Sequence, residues 1–243
     1  MRIGVYVDGY NLYYGARKHC GRSTAGWRWL DVRALVEPLA GWPGSQVTRV
    51  VYCTARVDPL DSPGANLDQS IYLDALLASR SVDVIAEGRY VSWAKAEPLV
   101  VQPPGTFRPS VYLHEDEAWD LRLPLRAVTS GDDRLVFATV RKREEKGSDV
   151  NVASHLLFDV LTDAVDAAIV VSNDSDLELP LRLARERVPV GTVNPSTNPT
   201  AGALKGNADD GAGRHWWRRL RAEEYRSSQL PDPVGKLRKP DGW

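Results

Sequence analysis

The chain has 243 residues, of which 43% are hydrophobic and 26% charged, and this balance is that of a globular protein rather than a disordered one. Its formal net charge of -1 gives no overall attraction for nucleic acid, so any such binding requires a local basic patch. The two cysteines form no CxxC pair, which argues against a zinc knuckle or a dithiol redox motif. Neither a signal-peptide pattern nor a membrane-length apolar run is present, so we expect a cytoplasmic protein with no membrane partner.

Apolar runs alternate with amphipathic segments along most of the chain. The predicted elements, in chain order, are a strand over 2–7, a helix from near Asn11, a helix over 31–40, a strand over 47–55, a helix over 65–80, a strand over 82–86, a helix over 149–163, a strand over 167–172, a helix over 177–187 and a strand over 188–193. Because strands alternate with helices and consist of continuous apolar runs, the pattern predicts an α/β fold with a mainly parallel central sheet.

Two regions depart from this alternation. Residues 90–140 contain scattered prolines and short β-prone stretches, which we interpret as an irregular, β-rich insertion. Residues 194–243 comprise a loop, a segment rich in arginine and tryptophan, and a tail, all expected to pack on the same domain. The predicted organisation is therefore one domain over 1–193 that contains the insertion, followed by this C-terminal region.

Acidic residues lie at the ends of two predicted strands and at the start of one predicted helix. Asp8 directly follows the first strand, Asp174 and Asp176 follow the strand that ends at Ser172, and Asp149 opens a helix. Sites in open parallel sheets form beyond the carboxyl ends of the strands. We therefore expect the four aspartates to meet at one rim of the sheet.

Clustered carboxylates predict a particular chemistry. Carboxylates within about 4–6 Å of each other repel unless a cation neutralises them. Mg²⁺ or Mn²⁺ prefers such oxygen ligands and can activate a bound water for attack on a phosphate. Each aspartate taken alone is also an ordinary turn or helix-cap residue, so the predicted metal site depends on their joint occurrence.

Three motifs carry a resemblance to a known family: Asp8-Gly9-Tyr10-Asn11, Glu145-Lys146-Gly147-Ser148-Asp149-Val150 and Ser172-Asn173-Asp174-Ser175-Asp176-Leu177. In order and spacing they resemble the motifs of the NYN domain, the LabA-like branch of the PIN-like metal-dependent nuclease superfamily. The resemblance covers most of residues 1–193. It implies a PIN-like, Rossmannoid three-layer fold.

The resemblance also implies a function. The chain would be a divalent-metal-dependent endoribonuclease that hydrolyses RNA phosphodiesters through a metal-activated water. Asp8, Asp149, Asp174 and Asp176 would be its catalytic residues and its ligands for Mg²⁺ or Mn²⁺, and Asn11 falls on the family's usual asparagine. The expected partner is single-stranded or structured RNA, while DNA and pairing into a homodimer are left open.

Basic and polar residues near the acids complete the predicted site. Arg141, Arg143 and Lys146 lie just before Asp149 in the sequence and could neutralise a nucleic-acid backbone, although a solvated turn would have the same composition. Asn11 and Ser172 are the remaining predicted substrate-binding residues. The segment 214–221 mixes tryptophan with arginine, as single-strand binding surfaces do, but packing at the edge of the core is the competing interpretation.

Other functions of an α/β sheet are less well supported. No glycine-rich dinucleotide fingerprint follows the first strand and no Walker lysine motif occurs. A phosphatase of the haloacid-dehalogenase type would need a second aspartate at position 10, which is Tyr10. The main alternative is a non-catalytic RNA-binding or scaffolding module of the same fold.

Overall fold

A computed structural model of the protein describes residues 1–112, 122–131 and 133–243. The chain divides into two compact units. Unit 1 consists of Met1–Tyr90 and Glu145–Trp243, and unit 2 consists of Val91–Glu144. The segment 194–243 thus lies in the same unit as the N-terminal strands.

The described residues form the following strands: β1 (Arg2–Asp8), β2 (Gln46–Ala55), β3 (Val84–Pro98), β4 (Val100–Val101), β5 (Ser110–Val111), β6 (Leu125–Ser130), β7 (Asp133–Lys146), β8 (Ala167–Val171), β9 (Val190–Asn194) and β10 (Trp216–Arg219). They also form the following helices: α1 (Gly9–Cys20), α2 (Val32–Val36), α3 (Pro63–Ala78), α4 (Ser148–Leu161), α5 (Glu178–Arg185), α6 (Gly202–Lys205) and α7 (Ala222–Ser227). None of the described helices is both long enough and apolar enough to cross a membrane.

The sheet of unit 1 is parallel, with the strand order β10-β9-β8-β1-β2-β3. Its central strand β1 pairs with β2 on one side and β8 on the other. The predicted α/β fold with a mainly parallel central sheet is confirmed. Because β1 lies between two parallel neighbours, the loops that follow β1, β2 and β8 all leave from the same edge.

Helices cover both faces of this sheet, and successive residues of β1 alternate between the two faces. Ile3, Val5 and Val7 pack with buried residues of α1, α2 and α3. Tyr6 points to the other face and packs with buried residues of α4 and α5. Full burial of one such aliphatic side chain stabilises the fold by roughly 1.5–3 kcal/mol, so these two layers hold the edge with its loops in place.

The helix predicted over 31–40 is shorter in the structure. Asp31 caps α2 by accepting a hydrogen bond from the backbone N–H of Ala34 at 3.1 Å. After Val36 the chain continues as a short 3₁₀ helix, Glu37–Leu39. Pro38 lies in this segment and has no N–H to donate to an α-helical ladder, which accounts for the early end of α2.

Unit 2 is built from antiparallel pairs. Residues of β6 pair with β7, from Leu125 opposite Ala138 to Ser130 opposite Asp133. The short strands β4 and β5 form a separate two-stranded sheet. A hydrogen bond from Arg141 Nε to Ser92 Oγ at 2.8 Å and an ion pair between Lys142 and Glu97 join side chains within this unit.

Candidate active site

Asp8 lies at the carboxyl edge of the parallel sheet, where the sequence predicts it. Val7 pairs with Val171 of β8, so Asp8 and Ser172 leave the sheet side by side. The side chain of Asp8 is 1% exposed. A carboxylate at this depth requires hydrogen-bond donors, because an unpaired buried charge is costly.

Two residues supply those donors. The backbone N–H of Asn11 donates to Asp8 Oδ1 at 2.9 Å, which makes Asp8 the cap of α1. Asn11 Nδ2 and Ser172 Oγ both donate to Asp8 Oδ2, at 2.6 and 2.9 Å. Burial raises the pKa of Asp8, and these three hydrogen bonds oppose that rise. Asn11 and Ser172, predicted to bind substrate, therefore hold Asp8 in position.

The second acidic element is the start of α4. Gly147, with φ of +105°, turns the chain in a left-handed conformation that favours glycine, and α4 begins at the next residue. Glu145 accepts hydrogen bonds from the backbone N–H and the hydroxyl of Ser148, at 3.1 and 2.7 Å. A Cβ atom on Gly88 of β3 would lie 2.5 Å from Glu145 Oε1, so glycine at this position lets the turn approach the sheet. Asp149 is placed in the first turn of α4 as a result.

The third acidic element is the loop after β8. The backbone N–H of Asp174 donates to Ser172 Oγ at 3.1 Å, and the N–H of Asn173 donates to Asn11 Oδ1 at 3.3 Å. Asp174 in turn accepts from the backbone N–H of Asp176 at 3.1 Å, as a helix cap. These bonds join the loop to the β1–α1 turn and fix Asp174 near Asp8.

These elements enclose a cavity of about 250 Å³, which we call the acidic pocket. Four carboxylates line it: Asp8, Glu145, Asp149 and Asp174. Burial first, and the negative charges of the surrounding acids second, raise the pKa of Asp149 to about 6. Asp176 is exposed and does not line the pocket, although its charge contributes to that shift. The structure thus brings three of the four predicted aspartates to one cavity and leaves the fourth at its periphery.

The raised pKa of Asp149 has a consequence for stability. At Asp149 the folded state binds a proton more tightly than the unfolded chain does. The resulting contribution to stability is fully present below the unfolded pKa of 3.8. It is lost as the pH rises through the folded pKa of about 6. Asp149→Asn should therefore stabilise the protein relative to wild type more at about pH 8 than at about pH 4. Urea unfolding of both proteins at the two pH values measures this difference. A stability difference that is independent of pH would contradict it.

The predicted metal site is not found. Among residues 1–112, 122–131 and 133–243, no group of three or more His, Cys, Asp or Glu side chains is arranged to hold a metal ion. The hydrogen bonds from Asn11 and Ser172 already occupy Asp8. Glu145 is likewise engaged by Ser148.

A second cavity adjoins the first, with a volume of about 490 Å³, and we call it the aromatic pocket. Seven aromatic side chains line it: Tyr10, Tyr13, Tyr14, Tyr52, Tyr72, Tyr90 and Trp243. Tyr10 and Tyr14 stack with ring centroids 6.5 Å apart, and Tyr10 meets Tyr90 edge-on at 6.2 Å. Such walls suit a planar ring, because offset and edge-to-face contacts between aromatic rings are favourable.

Three tyrosines, Tyr10, Tyr14 and Tyr90, line both pockets. Tyr10 donates its hydroxyl proton to the carbonyl oxygen of Ala55 at 2.8 Å. A phenol has a single proton to give, so at the 2.5 Å contact between the two hydroxyl groups Tyr90 donates to Tyr10. Burial and this contact raise the pKa of Tyr10, which keeps its hydroxyl protonated.

Sequence reasoning missed most of this second cavity. Tyr90 is 80 positions from Tyr10 along the chain, and no local pattern connects them. Glu145 opens the second of the three acidic motifs but is not among the predicted site residues. The run Tyr10, Tyr13 and Tyr14 was the one usable signal, since it begins two residues after Asp8 in the sequence.

The residues of the predicted basic patch come from both units. Arg141 and Arg143 belong to unit 2, whereas Lys146 belongs to unit 1. Lys146 lines a different cleft, beside Gly88 and Asn151, rather than the acidic pocket. Of the tryptophans in the segment 214–221, Trp216 packs on Trp42 with centroids 5.6 Å apart, and Trp217 is 46% exposed.

Comparison with known proteins identifies a named relative. The chain is 28% identical over 267 residues to 6-hydroxy-3-succinoylpyridine 3-monooxygenase HspA of Pseudomonas putida, with 100% of this chain and 75% of HspA covered. A crystal structure of a protein of unknown function, VPA0982 of Vibrio parahaemolyticus RIMD 2210633, matches with a TM-score of 0.42 and 14% identity over 89% of this chain and 91% of that chain. No protein-family model matches the sequence.

The similarity to a monooxygenase overturns the predicted function. A monooxygenase transfers an oxygen atom from dioxygen to its substrate, whereas a nuclease hydrolyses phosphodiesters. The predicted metal-dependent endoribonuclease is therefore wrong, and so is the assignment as a hydrolase. The predicted Mg²⁺ or Mn²⁺ cofactor is wrong as well, since the described carboxylates form no metal-binding group. The sequence motifs predicted a place where acids gather, but not the chemistry performed there.

Proposed function

We propose that this protein is a monooxygenase that hydroxylates a planar aromatic ring bound in the aromatic pocket. The observation that carries the proposal is the tyrosine-lined cavity beside a group of carboxylates. The volume of about 490 Å³ lies within the range of small-molecule sites, roughly 300–1,000 Å³. The similarity to HspA, whose name specifies a pyridine ring as its substrate, supports transfer of an oxygen atom to an aromatic ring.

The reaction balances with two co-reactants. Dioxygen would supply the oxygen, and a reduced flavin taken from solution would supply two electrons and two protons. One oxygen atom would replace a ring hydrogen as a hydroxyl group, and the displaced ring proton would pass through a base of this chain to the other oxygen atom, which would leave as water. The residues of this chain bind and orient the ring, shield it from water and accept the ring proton.

Asp149 is the proposed proton acceptor. It lines the acidic pocket together with Tyr10, Tyr14 and Tyr90, which also form the wall of the aromatic pocket. Its pKa of about 6 leaves it ionised at neutral pH and more basic than an ordinary aspartate. A base with a pKa near the working pH is the most effective proton acceptor.

The tyrosines position the ring. The hydrogen-bonded pair Tyr10–Tyr90 holds two phenol groups at the boundary of the pockets. Gly9 gives the helix start room beside Tyr52, because a Cβ at that position would lie 2.8 Å from the Tyr52 ring. The boundary is therefore held by close packing and by hydrogen bonds, as a site that orients its substrate requires.

The direct test is oxygen incorporation. The protein is incubated with isotopically labelled dioxygen, photoreduced flavin and a panel of aromatic compounds that includes 6-hydroxy-3-succinoylpyridine, simple pyridines and phenols. We expect a product that carries one labelled oxygen atom, detected by mass spectrometry, and oxygen uptake above the spontaneous oxidation of the flavin. Heat-denatured protein is the control. Uptake at the spontaneous rate with no labelled product for any ring would contradict the proposal.

We also propose two properties that the sequence predicts. The first is a PIN-like arrangement of the fold: the three motifs that resemble the NYN domain all contribute to the acidic pocket, which supports a shared framework without shared chemistry. The second concerns partners: binding of RNA and pairing into a homodimer stay predictions. Gel filtration and a filter-binding assay with single-stranded RNA would test them.

A further inference from the structure

We infer that the aromatic pocket selects rings that carry a carboxylate group, with the carboxylate held by arginines and the ring directed toward the acidic pocket. This inference names the substrate class of the proposed oxygenase and in that respect rests on the proposed function. It depends on the distribution of charge between the two adjoining cavities.

Three arginines line the aromatic pocket: Arg17, Arg22 and Arg28. Arg17 and Arg28 are partly buried, and Arg22 is exposed. In the part of the chain that the structure describes, none of the three forms an ion pair with a carboxylate, and Asp68 is the one acidic side chain that lines this pocket. The cavity therefore has an excess of positive charge that its own residues do not neutralise.

Two of these arginines, Arg17 and Arg28, are also held by contacts of their side chains. Arg28 packs over the ring of Trp27 at 4.8 Å, donates to the carbonyl oxygen of Gly242 at 2.8 Å and donates to that of Arg22. Arg17 lies on α1 with its guanidinium carbon 5.9 Å from the centre of the Tyr14 ring. A guanidinium held at the wall of a half-enclosed cavity can bind a carboxylate through two parallel hydrogen bonds, the strongest arrangement for this pair.

The acidic pocket has the opposite charge. Its four carboxylates adjoin the aromatic pocket through the shared wall of Tyr10, Tyr14 and Tyr90. A negatively charged group is repelled from that side and attracted to the arginine side. An aromatic carboxylate thus has one favoured orientation, in which its ring lies against the tyrosines and its ring edge is the part nearest Asp149. A neutral ring would bind without this preference.

Equilibrium binding separates charge selection from catalysis. Nicotinate and phenylpropanoate are titrated into the protein without flavin or any reductant, and their neutral amides serve as matched ligands. Quenching of intrinsic fluorescence or calorimetry gives the dissociation constants. We expect each acid to bind about tenfold more tightly than its amide, the difference corresponding to one charge-assisted contact. The preference should shrink as the salt concentration rises, since screening weakens charge interactions.

Two single variants test whether Arg17 causes the preference for acids over amides. Arg17→Gln should weaken binding of the acids about tenfold and leave the amides unchanged, because it removes a charge that only the acids contact. Lys18→Gln is the control: it removes the same charge from the next position of α1, is exposed, and does not line the aromatic pocket. It should leave both classes of ligand unaffected.

The outcomes distinguish this inference from the proposed function. Equal affinities for acid and amide in the wild-type protein, or no binding of either, would overturn the inference even if ring hydroxylation occurs. An acid preference lost in Arg17→Gln and kept in Lys18→Gln supports it. If the acid preference is found but no labelled oxygen enters any product, the inferred selectivity of the pocket is supported and the proposed monooxygenase function is contradicted.

Discussion

Asp149→Asn should lower the rate of ring hydroxylation by about 10²–10⁴-fold, the range that a positioned acid or base contributes to catalysis. Asparagine keeps the shape of the side chain but cannot accept the ring proton. The affinity for an aromatic carboxylate should change little, because Asp149 lines the acidic pocket and not the aromatic pocket. Steady-state oxygen uptake, corrected for spontaneous flavin oxidation, gives kcat and KM separately.

The matched control is Asp163→Asn. Asp163 lies just beyond α4, is exposed and has a φ of +56°, a conformation that asparagine tolerates. It removes the same charge without touching either cavity, so its kcat should equal that of the wild type. Because Asp149→Asn is expected to be stabilised at neutral pH, a lost rate cannot be attributed to unfolding. If the kcat of Asp149→Asn equals that of the wild type, Asp149 is not the proton acceptor of the reaction.

Trp29→Ala should reduce the free energy of unfolding by about 3–5 kcal/mol, the usual cost of deleting a large aromatic side chain from a core. Trp29 is 1% exposed, and its indole N–H donates to the carbonyl oxygen of Pro231 at 2.9 Å. Its ring lies 6.0 Å from that of Tyr72 and 6.5 Å from that of Trp243, centroid to centroid. The substitution leaves a cavity and an unpaired carbonyl, and loosens two residues of the aromatic pocket.

Trp217→Ala provides the comparison for this loss of stability. Trp217 is 46% exposed, and its one described ring contact is with the Lys205 ammonium, 4.6 Å from the ring centre. An exposed cation–π contact stabilises by about 0.5–1 kcal/mol, so this variant should lose no more than that. Urea denaturation of both variants measures the two values. If both variants lost a similar amount of unfolding free energy, the buried Trp29 would not stabilise the fold more than the exposed Trp217, which would contradict the prediction.

The alternation of apolar runs and amphipathic segments was enough to predict the α/β class. The predicted strands 2–7 and 167–172 consist mainly of apolar residues. Helices separate such strands along the chain, which predicts that the strands pair in parallel. The same logic placed Asp8 and Asp174 at one edge. Parallel strands end together, so residues that follow them become neighbours whatever their separation in the chain.

The function could not be predicted in the same way. The three acidic motifs are typical of a nuclease, yet the named relative is a monooxygenase. A carboxylate group at the edge of an α/β sheet is compatible with several chemistries, and what distinguishes them is the neighbouring cavity. That cavity is lined by residues from positions as far apart as Tyr10, Tyr90 and Trp243, and no motif contains them together.

The sequence by itself determined the order of the strands and helices, the burial of β1 and the place where Asp8, Asp149 and Asp174 gather, because each depends on local periodicity and on the common direction of parallel strands. Only the tertiary structure decided which side chains surround those acids. Glu145 enters the acidic pocket because Gly88 permits close approach of the turn, and Trp243 reaches the aromatic pocket because its ring packs beside Trp29 and Tyr72. Contacts of this kind depend on packing between distant segments, which leaves no periodic signal in the sequence.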